Sequence, residues 1–316
     1  MELLGNAFIN LRNCYIIPLV QYGIQRNKVK YWSFKSIITN NIISLNSVSK
    51  NTIELEISED DFYKASLCDI ELFKNKSIIQ YVEYSSIKNK KSTWAFVSLY
   101  YHFFFTATTL MRMLHRGFIY LDSTHVKSIE NYSLAMYSNP IRLDSGNFYY
   151  SVKGKSITGN VIILLSNKGE GIHQLTWLQM EAILHQEIIP NASNDESLLY
   201  SQLLTIINSL DSRFPSVLRN KLNYPSESSL LDLEKILPEI KIDLVSKNFY
   251  KSFLDIKPND NSIENQILIT SCYSMLIFNL VQNLYQEYET RSKFHKDFQK
   301  ERRDFLNEYK VELIEL

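Results

Sequence analysis

Three cysteines in 316 residues, Cys14, Cys68 and Cys272, are too few and too far apart for a disulfide framework. They show neither CxxC nor CxH spacing, so a zinc module is also excluded and a reducing compartment is expected. Net charge is missing as well, with 34 Lys and Arg against 34 Asp and Glu. No whole-protein field draws the chain onto nucleic acid or an anionic membrane, so either contact needs a local patch. The first twenty residues, MELLGNAFINLRNCYIIPLV, have no basic stretch ahead of an apolar core, and Asn10, Arg12 and Asn13 interrupt the run. That argues against a secretory signal. GxSxG, HExxH, GxxxxGK[ST], GxGxxG and DxD motifs are all lacking. These absences predict a cytoplasmic protein with no metal, no cofactor and no small-molecule substrate, and favour a non-enzyme.

Glycine is scarce too, and its placement is informative. Five of the eight glycines, Gly146, Gly154, Gly159, Gly169 and Gly171, fall within 26 residues. Between them lie NFYYSV and NVIILLS, rich in β-branched and aromatic residues, which predicts an antiparallel hairpin at 147–166. PIRL (140–143) is expected as a third short strand. In NTIELEIS (51–58), Ile53, Leu55 and Ile57 alternate with polar residues, the period of a half-buried strand. KVKYWSF (28–34) and SIITNNIISL (36–45) are candidates to pair with it.

The remainder reads as helix. Residues 6–24 are helical in pattern, and Ser58 with Asp61 caps a helix beginning near 60. Ser92, the Ser193–Glu196 pair and the Asn261–Glu264 pair mark three further helix starts. The fold class expected is α+β, mainly helical, with a small antiparallel sheet in the middle and a short β element near the N-terminus. Residues 1–190 would hold the aromatic helix (92–115) and the hairpin (140–166). Residues 191–316 would be helical and end in a long amphipathic helix, the whole forming one unit.

Residues 93–111 run 19 positions without a formal charge, and ~20 apolar residues span a bilayer. Ser98, His102, Thr106, Thr108 and Thr109 recur through the run, and lysines and arginines flank both sides. A core helix, apolar around its circumference, is the reading, and no membrane contact is expected. His102 then needs a buried partner. Arg112, ten residues on, is about 15 Å away along a helix and cannot share a compact site with it.

The segment STWAFVSLYYHFFFTATTLMRM resembles the core helix of HEPN-type proteins, with Tyr100, Tyr101, Phe104, Ala107 and Leu110 in comparable places. Similar segments occur in accessory subunits of bacterial anti-phage systems, including the small subunit beside the SMC-like ATPase of Lamassu-type complexes. The resemblance implies a scaffold or regulatory subunit contacting an SMC-like ATPase, a nuclease effector or both, with DNA reached through the complex. Active HEPN ribonucleases pair an Arg with a His a few residues later, a cation and a general base at the scissile phosphate. Here Arg112 and His115 leave two residues between them, Arg116 and His125 eight, and Arg291 and His295 three. None of these matches the spacing of the active enzymes, so no catalytic residue is assigned, and His102, His115, Arg112, Arg291 and His295 stand only as candidates. A HEPN-derived ribonuclease or toxin is the alternative reading, and a nucleic-acid-binding module the next.

Two other features carry possible chemistry. Glu181 and His185 share a helix face four residues apart, with His173 as a third ligand candidate, although a surface pair is the plainer reading. SNKGEGIH (166–173) places glycines before a helix whose first amides can attract an anion. In RSKFHKDFQKERRDFLNEYK (291–310), Phe294, Phe298, Phe305 and Tyr309 fall on one face of a single expected helix, with Arg302 among them. That helix is expected to pack on its own domain, to dock on a partner, or to set its basic residues against a DNA backbone.

Overall fold

A computed structural model of the chain describes residues 5–24, 33–87, 92–137, 141–211, 213–223, 256–257, 260–294 and 296–308. Pro18 removes a backbone donor from the first helical stretch. The chain accommodates it with a π-turn over Arg12–Ile16, between α1 (Gly5–Leu11) and α2 (Ile17–Ile24).

Next comes a correction to the expected β region. Residues 28–32 lie outside the described residues, and Phe34–Asn40 is helix α3. Phe34, Ile37 and Ile38 recur at helical spacing and are buried together, which outweighs their β-branched content. The strand begins only at Ile42: β1 (Ile42–Ser49) turns into β2 (Thr52–Ile57). Ser58 Oγ then accepts from the Asp61 amide at 3.1 Å and opens α4 (Glu59–Ile87). Glu59, Asp60 and Asp61 fill its first turn, where the helix dipole favours carboxylates.

The charge-free run forms α5 (Ser92–Met113), a core helix packed along α4. Tyr100, Phe103, Ala107, Leu110 and Met111 are all fully or almost fully buried. It ends before the expected boundary at 115, because His115 adopts a left-handed φ of 56°. The chain reverses there into β3 (Arg116–Leu121), then α6 (Ser123–Tyr137) and the hairpin β4 (Gly146–Lys155) and β5 (Val161–Asn167).

The strand beside the hairpin is β3, not 140–143 as expected; residue 140 lies outside the described residues. The amides of Ile141 and Leu143 go instead to Ser133 Oγ (3.1 Å) and Glu130 Oε1 (3.0 Å) on α6, so α6 takes the donors that a ladder would have used. The sheet is antiparallel throughout, in the order β1-β2-β5-β4-β3. Ile53, Leu55 and Ile57 lie opposite Leu165, Ile163 and Val161, all buried on one face. Glu54 and Glu56 on the other face meet Lys153 (2.7 Å) and Asn160 (2.9 Å). From the β3 edge, α6 runs to the β1 edge, where the Tyr132 hydroxyl donates to the Ile43 carbonyl (2.8 Å) and the Leu45 amide donates to the Tyr137 hydroxyl (3.2 Å). Side-chain hydroxyls thus occupy edge groups that would otherwise invite another strand.

The described residues that follow are mainly helical: α7 (Ile172–Ile183), α8 (Asn194–Ser209), α9 (Phe214–Asn223), α10 (Ile263–Arg291) and α11 (Lys296–Glu308). A second π-turn, Leu184–Ile188, follows α7 and runs up to Pro190. The cap of α10 is Ser262, one residue later than expected, accepting from the Asn265 amide at 3.3 Å. The Glu196 side chain of the other expected capping box lies outside the described residues. Among the described residues, α10 is the helix long and apolar enough to cross a membrane, and 72% of that apolar window is buried inside the protein. It crosses α5, and the two central helices share a core cluster that runs from Ala7 to Phe294. The C-terminal stretch is not one helix. Ser292 is extended (φ −85°, ψ 143°), held where Gly23 of α2 passes so close that a Cβ there would lie 2.1 Å from Ser292 Oγ.

Candidate functional site

Three of the expected catalytic residues, His102, His115 and Arg112, are enclosed. His102 is buried among the rings of Tyr81, Phe103 and Phe278. Its Nδ1 lies 2.9 Å from the Ser77 carbonyl and so donates to it, while Thr106 Oγ1 donates to the His102 carbonyl at 2.8 Å. Burial, and then the nearby Lys74, lower its pKa to about 4, so the ring is neutral at pH 7. His115 is enclosed by Tyr15, Phe62 and Tyr63, and burial, followed by Arg116, takes it to about 4 as well.

Arg112 is 2% exposed. Its guanidinium lies 5.3 Å from the ring of Phe73 and 5.0 Å from that of Tyr150. Nη2 donates to the Phe118 carbonyl at 2.7 Å, and Nε stands 3.1 Å from Asp69 Oδ2. Burial raises the Asp69 carboxyl, and Arg112 pulls against it. A Cβ on Gly117 would sit 1.8 Å from Arg112 Nη1, so the glycine makes room for the guanidinium. Arg112 is thus the internal fastening between α5, α4 and β3. Arg291 is half-exposed and pairs with Glu287 at 2.9 Å; His295 lies outside the described residues.

The expected partner-binding face turns inward in the isolated chain. Phe294 is buried and stacks on half-buried Phe298 at 6.1 Å, while Phe305 packs beside Leu306, Ile78 and Val82. Arg302 reaches back to α4, donating to Glu71 Oε2 (2.7 Å), Asn75 Oδ1 (2.7 Å) and the Tyr285 hydroxyl (3.0 Å). Tyr285 in turn donates to Glu71 Oε2 at 2.8 Å. Tyr309 lies outside the described residues.

Lys74, one turn along from Glu71, is buried against Phe278 and Tyr285 and donates to Gln282. Burial first, and then Arg302, lower its pKa to about 7. The sequence hint was a trio, Asp69, Glu71 and Lys74, set among Leu67, Ile70 and Ile78 on a helix with little polar asymmetry. These networks can join helices; enclosed as they are, they cannot meet a substrate from solvent.

A fourth cluster lies nearer the surface, at the start of α7. The Tyr100 hydroxyl accepts from Trp177 Nε1 (3.2 Å) and lies 3.1 Å from His173 Nδ1. The same hydroxyl also has side-chain hydrogen bonds with Ser216 and Arg219, so it joins α5 to both α7 and α9. Arg219 from α9 places its guanidinium 5.3 Å from the Tyr100 ring and 5.6 Å from that of Tyr101. Half-buried His173 is lowered to about 4 by burial and then by Arg219. The sequence reading had linked His173 with Glu181 and His185, but among the described residues no three such side chains are placed to hold a metal. His185 is exposed on the π-turn, while His173 faces Tyr100 and Phe104.

No family model, curated protein or solved structure matches this chain.

Proposed function

We propose that the chain is a non-catalytic scaffold or regulatory subunit of a multi-protein bacterial anti-phage complex, contacting an SMC-like ATPase, a nuclease effector or both. The resemblance of α5 to a HEPN core helix supports the setting. One observation carries the subunit reading: at the C-terminal turn of α6, Leu134, Met136 and Tyr137 are 51%, 57% and 46% exposed, Leu134 and Tyr137 on one side of the helix, and Ile43 on the β1 edge that α6 reaches is 43% exposed. Apolar side chains grouped on a surface favour a protein partner. The same reading accounts for the enclosed His102, His115 and Arg112, which serve packing and leave no reactive group facing solvent there. The surface expected to meet the partner thus moves from α11, which packs on its own chain, to α6 and β1.

The test is affinity purification of the tagged protein from its native operon, with mass spectrometry of what accompanies it. An ATPase and a nuclease at fixed stoichiometry are expected. Leu134→Asp with Met136→Asp should release them while thermal unfolding stays unchanged. Partners that remain on this variant would remove α6 from the interface, and a protein that arrives alone would sink the subunit reading.

A further inference from the structure

Where α11 meets α4, two basic side chains surround one enclosed carboxylate. Lys74 Nζ and the Arg302 guanidinium stand 5.1 and 5.4 Å from the centre of the same Tyr285 ring. Glu71, three residues before Lys74 on α4, is already occupied: its Oε2 accepts from Arg302 at 2.7 Å and from the Tyr285 hydroxyl at 2.8 Å. Lys74 is buried, donates to the Gln282 side chain and forms no salt bridge among the described residues. Enclosure without a carboxylate of its own disfavours the charged form of the amine. Apart from Arg302, α11 is lightly held. Leu306 is its buried apolar residue, and with Phe305 it meets Ile78 and Val82 in a small cluster separate from the main core. Extended Ser292 ends α10 ahead of it, so α11 does not continue the helix it follows.

We infer that α11 is a pH-sensitive latch, in which Arg302 and a protonated Lys74 compete for the Glu71 carboxylate. While Lys74 is neutral, Arg302 is the cation that Glu71 needs, and α11 stays seated. Once protonated, Lys74 lies within one turn of Glu71 on the same helix and can replace the guanidinium. The seated arrangement would then also hold two like charges at one ring, a repulsion that release of α11 removes. The ionisable groups facing Lys74 are Glu71 on its own helix, Tyr285 and Glu289 on α10, Arg302 on α11 and His102 on α5. His102 titrates near 4 and Tyr285 well above its ordinary value, so neither changes state near neutral pH. Seated Lys74 has a pKa of about 7, against an ordinary 10.5. The released form therefore binds more protons above 7, so seating weakens as the pH falls towards 7 and levels off below it. Burial raises the Glu71 carboxyl, which acts in the opposite sense. This latch rests on the fold alone and does not depend on the subunit reading.

Methyl NMR on the full chain tests the latch, because the Leu306 methyl groups, packed against Ile78 and Val82, report whether α11 is seated. Lowering the pH from about 9 to about 7 should raise the ratio of released to seated α11 about tenfold. Lys74→Met removes the competing cation and should keep Leu306 seated across the same range, which separates Lys74 from Glu71. If that variant does not fold, the wild type decides: the Lys74 Cε resonance and the Leu306 methyl groups should change together. Leu306 methyl groups that do not move between the two pH values would overturn the inference. So would a change that persists undiminished in folded Lys74→Met, or a Lys74 that titrates without any response at Leu306.

Discussion

Arg302 and Glu71 stand 231 residues apart in sequence and 2.7 Å apart in space, where the helix α11 meets the middle of α4. Glu71 is entirely enclosed, and Tyr285 of α10 donates to the same carboxylate. One ion pair therefore fixes three helices at a common point. Burial raises the Glu71 carboxyl, and the guanidinium opposes that rise.

Removal of one partner should cost far more than removal of both. Arg302→Met leaves a buried carboxylate with the Tyr285 and Tyr288 hydroxyls but without its guanidinium, and a broken buried pair typically costs about 3–5 kcal/mol. Adding Glu71→Met replaces the charge by apolar volume and should recover most of that loss. Urea unfolding of the two single variants and the double gives the coupling directly. Equal losses in Arg302→Met and the double variant would show that α11 is held by Leu306 and Phe305 alone.

The two buried histidines give the fold a defined acid limit. Both have folded pKa values near 4, against an ordinary 6.5. Between those values the unfolded chain binds more protons than the folded one, so stability rises with pH across the window. Their contribution is complete above 6.5 and lost as the pH falls to 4, at about 3 kcal/mol for each histidine. Asp69 and Glu71 act in the opposite sense, since their folded pKa values are raised and their contribution weakens as pH rises. Comparing wild type with His102→Gln isolates one histidine from these. The variant should unfold with a shallower dependence between pH 4 and 6.5, read from denaturant midpoints. An unchanged slope would mean that His102 is not held neutral.

How much of this was legible depended on whether the signal was local. The hairpin could be read because glycines bracket two β-branched runs, and β2 because Ile53, Leu55 and Ile57 alternate cleanly. Helix α3 was hidden because Ile37 and Ile38 favour strands by composition, and their helical spacing appears only once Phe34 is counted. Strand β3 was hidden for a similar reason: Phe118 and Ile119 are adjacent and both buried, so no alternation marks it. The candidate site was less legible still. Tyr100, His173 and Arg219 come from three helices, and only the folded arrangement brings them together. The break at Ser292 likewise depends on Gly23, more than 200 residues earlier.

Gly117 and Arg112 provide the sharpest steric test of the central fastening. The guanidinium cannot swing aside, because Phe73 and Tyr150 face it from two rings and Nη2 is bonded to the Phe118 carbonyl. A methyl group at position 117 would be placed 1.8 Å from Nη1, so either the strand or the arginine must shift. Forced overpacking of this kind costs about 1–3 kcal/mol, and displacing Arg112 from Asp69 adds to it. Gly117→Ala should therefore lower the stability of the protein by at least that range in chemical denaturation. In an Asp69→Leu, Arg112→Leu background, where no guanidinium occupies the space, the same alanine should cost less. If the alanine costs as much in that background as in wild type, the glycine answers to the backbone of β3 and not to the arginine, and the fastening between α4, α5 and β3 rests on the apolar core alone.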